Sequence, residues 1–289
     1  MQQRRLFDTY QAHSFSLFVP LYTLLYIEHM VKAIFFDIDG TLVSFKTHTI
    51  PESTRQTLQQ LRQQGIKVFI ATGRPKMLMM DAVGDIEFDG YITLNGAHCF
   101  TSSHEDIFKK GVSREDIERL VNYHHAHPEI PFVFASGDRW FITSIDASVE
   151  EVARLIEIDT PPVEPIEHAL QEDVLQIMGY FNKEQEKEIF DHVLLGCEPM
   201  RWNPLFTDII ASGNSKSMGI DKVLEHYGIN LEETMAFGDG GNDIPMLRHV
   251  KIGVAMGNAA PEVQASADYV TTSVDEDGIT HALKHFGVI

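Results

Sequence analysis

The chain has 289 residues, 44% of them hydrophobic, which is enough for one large domain or two medium ones with real cores. Its 42 acidic residues outweigh 23 basic ones and give a formal charge of -19, and Lys and Arg form no cluster, so nucleic acid is excluded as a partner. Any anionic substrate must therefore be drawn in by a local positive feature: a metal ion, a lysine or a helix N-terminus.

Residues 1–29 differ in character from the rest of the chain. Arg4 and Arg5 precede an apolar, aromatic run from Phe15 to Ile27, which contains Pro20 and is too short to span a bilayer. No small-residue cleavage site comes after it, as a signal peptide would require. Met30 instead leads straight into Ala33-Ile34-Phe35-Phe36. Met30 is expected to be the natural start, with 1–29 outside the fold and no membrane partner. Cys99 and Cys197 form no metal-binding spacing and no disulfide framework, as in a cytoplasmic protein with reduced thiols.

From Lys32 the chain alternates strands and helices. Ala33 to Phe36 is a short apolar strand. A loop runs to Ile50, then a helix opened by Pro51 and Glu52 and ended by Gly65. Ile66 to Ala71 is a strand capped by Thr72-Gly73-Arg74, and Pro75 starts the next helix. Tyr91 to Leu94 is a third strand, with Asn95 directly after it. This order predicts a parallel sheet with right-handed crossovers. Between about Gly111 and Arg201 the pattern changes to helices near Ser113–His127, Ser148 and Lys183–Leu195, with strands at Phe132–Ala135, Trp140–Thr143 and Val174–Phe181. Phe132, Phe134 and Trp140 read as core of that small sheet rather than as a pocket lining. The parallel pattern resumes with a helix from Ser215 to Gly228, strand Met235–Phe237, and short units to a final helix at Ile279–Phe286. The fold class is α/β: a Rossmann-like parallel-sheet core at 30–112 and 201–289, with an inserted α+β domain at 113–200.

Open parallel sheets bind ligands beyond the carboxyl ends of their strands. Four polar segments fall there: Asp37-Ile38-Asp39-Gly40-Thr41, Thr72-Gly73-Arg74, the Lys216 region, and Gly238 through Asp243. Asp37, Asp39, Asp239 and Asp243 would crowd on one rim, and such carboxylates cannot all ionise without a cation. Magnesium suits them, since it prefers oxygen ligands, and with Lys216 it makes a positive spot that fits a phosphate. The loop at 238–243 lacks the acidic ladder and terminal Glu of a calcium loop. Asp37 ends a buried strand and is placed to attack phosphorus in line. Asp39, two residues on, is placed to protonate the leaving oxygen and then deprotonate water. The Thr72 hydroxyl, the Gly73 N–H and Lys216 would hold the phosphoryl oxygens.

Each segment alone is commonplace, but four in order are specific. Phe36-Asp37-Ile38-Asp39-Gly40-Thr41-Leu42 resembles the first motif of the haloacid dehalogenase superfamily, Thr72 its second, Lys216 its third, and Gly238-Asp239 with Asn242-Asp243 its fourth. A block between the second and third motifs resembles the Cof-type branch, whose cap is an α/β domain, and there the hexose phosphate phosphatases of Bacteroides type. The resemblance implies Asp37 as nucleophile and metal ligand, and Asp39 as general acid/base with its backbone carbonyl on the metal. Asp239 would be a metal ligand, and Asp243 would support the metal's waters or Lys216. Asn242 would help place phosphate or metal water, with Asn95 and Arg74 at the site's edge. The expected substrate is a small phosphorylated metabolite, foremost a sugar phosphate. Pyridoxal phosphate, a flavin precursor, or non-catalytic sensing of a sugar phosphate are the alternatives. The sequence carries no signal of oligomeric state.

Overall fold

The computed structural model describes residues 31–155 and 158–289. The expectation for 1–29 lies outside the described residues. Strand β1 (Ala33–Phe36) is buried along its whole length, paired in parallel with β11 (Thr234–Gly238) and β2 (Lys67–Ala71) and packed on both faces. A strand covered on both faces reads as a continuous apolar run, which is why this one carries no polar alternation. Its side chains still alternate between two cores. Ile34 and Phe36 pack under α1 (Glu52–Gln63) and α9 (Gly278–His285), with Leu58, Leu61 and Leu283. Ala33 and Phe35 pack under α6 (Lys216–Tyr227) and α7 (Ile244–His249), with Ile220, Val223 and Leu247.

The eight-stranded sheet runs β13-β12-β11-β1-β2-β3-β4-β5. Here β12 is Ile252–Ala255, β13 Tyr269–Val270, β3 Gly90–Thr93, β4 His98–Thr101 and β5 Asp106–Lys109. The strands from β13 to β3 are parallel, while β4 and β5 extend the edge antiparallel. This matches the predicted Rossmann-like core and adds an antiparallel edge that the sequence pattern did not reveal.

The inserted domain is a five-stranded antiparallel sheet, order β7-β6-β8-β10-β9. It comprises β6 (Phe132–Ala135), β7 (Trp140–Ile142), β8 (Gln176–Gly179), β9 (Cys197–Asn203) and β10 (Phe206–Ala211). Helices α3 (Arg114–Ala126) and α5 (Lys183–His192) supply its core through Leu120 and Ile189, against Phe132, Phe134 and Ile177. The expected boundary at 200 falls inside β9, and the pairing of β9 with β10 carries this sheet on to Ala211. Pro199 masked β9, yet a proline is tolerated on an edge strand because no ladder bond is lost there. In β10, buried Thr207 and Asp208 interrupt the apolar pattern. Phe132 and Phe134 are core as expected; Trp140 is only partly buried and lines a cavity between the two domains. No described helix is long and apolar enough to cross a membrane.

Candidate active site

The carboxyl ends of β1, β2, β3 and β11 meet α6 on one rim. Helix α6 starts at Lys216, capped by Ser215, whose Oγ accepts from the Met218 N–H at 3.1 Å. That start swings the Lys216 side chain under the ends of β1 and β11. Its Nζ donates to Asp37 Oδ1 at 2.6 Å and to Asp243 Oδ1 at 2.6 Å, in a fully buried position. Burial opposes the ammonium charge, but the Asp243 and Asp37 carboxylates outweigh it and hold Lys216 above its ordinary pKa. Burial lifts Asp37 well above the usual carboxylate range; Asp243, Asp239 and Asp39 add to this, and Lys216 opposes it.

Asp243 has both oxygens engaged, since Oδ2 accepts from the Asp239 N–H at 3.0 Å and the Gly240 N–H at 2.9 Å. It therefore fixes Lys216 and the loop backbone together. Asp239 accepts from Thr41 Oγ1 at 3.1 Å and Asn258 Nδ2 at 3.1 Å. Its carboxyl is pushed up to about 7, by burial first and then by Asp243. Gly40 makes room for it: φ is +80°, and a Cβ there would sit 2.2 Å from Asp239 Oδ2. Both conditions exclude other residues from that turn.

Carboxylate oxygens of Asp37, Asp239 and Asp243 lie within 4.8 Å of one another. Three carboxylates face one ammonium, and two of them are displaced toward the protonated form. An oxygen-only donor set with unbalanced negative charge fits a hard divalent cation. The Asp39 carboxylate is not in this group. Arg74 forks it, with Nε on Oδ2 at 2.7 Å and Nη2 on Oδ1 at 2.6 Å. That leaves its backbone carbonyl as the atom the resemblance assigns to the ion.

The predicted residues converge. Asp37, Asp39, Thr72, Gly73, Arg74, Asp239 and Asn242 line one cavity of about 390 Å³ between core and cap, with Lys216 and Asp243 beneath. Asn95 lies at its edge. Its N–H donates to the Thr72 carbonyl at 3.1 Å and its Oδ1 accepts from Asn242 Nδ2 at 3.1 Å. Sequence reasoning missed Asn258, which lies just past β12 on the same rim and also donates to the Gly40 carbonyl at 2.9 Å. It missed Gln176 and Asp208 as well, because both sit in the buried cap sheet. Arg201 ties the β9–β10 hairpin to Glu186 and to the Phe181 and Phe206 carbonyls.

A parallel-sheet core, carboxylates gathered around one buried lysine and a cap roofing them define a capped phosphoryl-transfer hydrolase. The sequence profile of the haloacid dehalogenase-like hydrolases matches residues 34–283. The chain belongs to that family, in its Cof-type branch, and is a phosphatase acting on phosphoric monoesters. It is similar to the solved structure of BT4131, a subclass IIB sugar phosphatase, at 42% identity, covering 90% of this chain and 100% of that one with a TM-score of 0.79. It is also similar to the phosphatase BT1666 of Bacteroides thetaiotaomicron, at 38% identity, 95% and 100% coverage and a TM-score of 0.82. The Bacillus subtilis protein YkrA is 37% identical over 264 residues, 89% of this chain and 98% of that protein.

Proposed function

We propose that the protein is a Mg²⁺-dependent phosphatase that hydrolyses a small phosphorylated metabolite, a hexose phosphate by preference, through a phosphoryl group carried on Asp37. The observation that carries this reading is the buried Lys216 ammonium bridging Asp37 and Asp243 at 2.6 Å each. It holds Asp37 Oδ1, which leaves Oδ2 for attack. A binding protein gains nothing from fixing a carboxylate so tightly against the place where a phosphate would sit. The sugar phosphatase activity of BT4131, 42% identical, supports the substrate class.

In the first step Asp37 Oδ2 attacks phosphorus, and the ester oxygen departs with a proton from Asp39. In the second, Asp39 takes a proton from water, whose oxygen displaces Asp37 and releases phosphate. Lys216, the Thr72 hydroxyl and the Gly73 N–H receive charge as it shifts onto the phosphoryl oxygens. Asp37, Asp239 and the Asp39 carbonyl, with Asp243 beneath, would hold Mg²⁺, which supplies further charge neutralisation there. The cap excludes water while the acyl phosphate forms. Two buried free thiols, Cys99 and Cys197, support a cytoplasmic setting.

Purified protein with Mg²⁺ should release phosphate from hexose phosphates, and EDTA should stop it. Asp37→Asn should lose turnover by several orders of magnitude. Sustained turnover in that variant, or none by the parent across a broad panel of phosphoesters, would sink the reading.

A further inference from the structure

The cavity has two unlike ends. One holds the carboxylates at Asp37, Asp39 and Asp239. The other is roofed by the cap sheet, where Trp140, Met178 and Phe206 give apolar surface around two polar groups, Gln176 and Asp208. Those two side chains are almost fully buried, at 2% and 4% exposure, although both line the cavity. Asn95 joins them to the core: its Nδ2 donates to Gln176 Oε1 at 3.0 Å and to Asp208 Oδ2 at 3.2 Å. Gln176 Nε2 in turn donates to the Gly73 carbonyl at 3.4 Å. A leaving group attached to a phosphate over Asp37 therefore meets an amide, a carboxylate and an indole.

The cations around the cavity are already matched. Arg74 holds both oxygens of Asp39. Arg201 is spent on Glu186 at 2.8 Å and on backbone carbonyls. Lys216 is fixed between Asp37 and Asp243. Among the described residues lining the cavity, then, no cation lacks a carboxylate partner, while Asp208 and Glu262 add negative charge. A second anionic group on a substrate would be desolvated in that chamber beside like charge, without a counter-ion.

We propose that this cap face selects phosphomonoesters whose leaving group is an uncharged polyol, and that Asp208 excludes esters carrying a second anionic group. This rests on the phosphatase reading and narrows its substrate class. Carboxylate and amide oxygens accept from hydroxyl groups, and the aromatic and thioether surface covers the carbon chain. The same carboxylate turns away a carboxylate or a second phosphate.

Sorbitol 6-phosphate and 6-phosphogluconate test it, since they differ only in a CH₂OH for a COO⁻. The neutral ester should be preferred in kcat/KM by about a hundredfold or more, the scale of a desolvated like-charge contact. Asp208→Asn keeps an acceptor for Asn95 and removes the charge. It should narrow the ratio about tenfold, by raising kcat/KM for the acid, a gain that general loosening of the fold does not produce. Comparable kcat/KM for the two esters in the parent protein overturns the proposal even if the variant fails to fold. So does turnover of neither while a hexose phosphate is hydrolysed, or an unchanged ratio in a folded variant. Phosphate release from no ester at all overturns the phosphatase reading itself.

Discussion

Replacing Lys216 with Met keeps the length of the side chain and removes its charge. The ammonium is 0% exposed and lies 2.6 Å from each of two carboxylates, themselves 8% and 1% exposed. Breaking such a buried pair leaves charge without compensation and costs about 3–5 kcal/mol. For a chain of this size that lowers the melting midpoint by roughly 6–20 °C, at about 2–4 °C per kcal/mol. The loss depends on pH in a definite direction. Without Lys216 nothing opposes the burial that already lifts Asp37, so its folded-state pKa rises further above the unfolded value. The folded variant then keeps a proton that the unfolded chain has released, and its stability falls as pH rises through that window. Thermal melts monitored by circular dichroism in EDTA should show a larger drop near pH 8 than near pH 5. Phosphate release should fall about 10²–10³-fold as well, the usual cost of losing one donor to developing phosphoryl charge. A midpoint within about 2 °C of the parent near pH 8, or a larger drop in acid, would refute the reasoning.

Three further outcomes rest on the same geometry. Metal-free parent protein should lose thermal stability as pH rises from about 4 toward 8, because Asp239 titrates at about 7 in the fold and near 4 when unfolded. Mg²⁺ should flatten that slope, and a metal-free profile already flat counts against the crowded carboxylates. Asp39→Asn should cut kcat/KM for alkyl phosphates about 10²–10⁴-fold while costing an aryl phosphate far less, since kcat/KM ends at departure of the ester oxygen and only the alkyl ester needs that oxygen protonated. Equal losses for both would remove the acid role. Gly40→Ala forces a side chain to φ +80° and into Asp239 Oδ2. It should raise the Mg²⁺ concentration for half-maximal phosphate release about 10–100-fold, and an unchanged requirement would argue against the tight turn.

Legibility from sequence tracked charge and position. Asp37 and Asp239 stand where buried apolar strands stop, and a carboxylate directly after such a run has few structural uses. Lys216 looked like an ordinary first-turn lysine; only its company with the other segments gave it meaning, and the fold shows why, since the start of α6 tucks it below the sheet ends. The fork of Arg74 on Asp39 left no trace, because two side chains far apart in the chain announce no pairing. Gln176 and Asp208 stayed hidden for a different reason. Thr207 and Asp208 break the apolar run by which β10 would be recognised, whereas Gln176 lies in a strand that the pattern does show, and one polar residue there gives no sign of facing a cavity. Asn258 was within reach: it lies just past β12, on the rim where the four polar segments gather.

Strands β1 and β11 lie side by side with Phe36 opposite Phe237, and the Asp37 N–H donates to the Phe237 carbonyl at 3.0 Å. The gap between the attacking carboxylate and the loop bearing Asp239 is thus gauged by the hydrogen-bond ladder, whose rungs hold neighbouring strands about 4.8 Å apart. Loops drift and domains swing, but a ladder in the middle of an eight-stranded sheet does neither. Ion handling and ester choice would then be separable traits in this molecule. Substitutions in the roof would retune what fits without altering the span across which phosphorus is held.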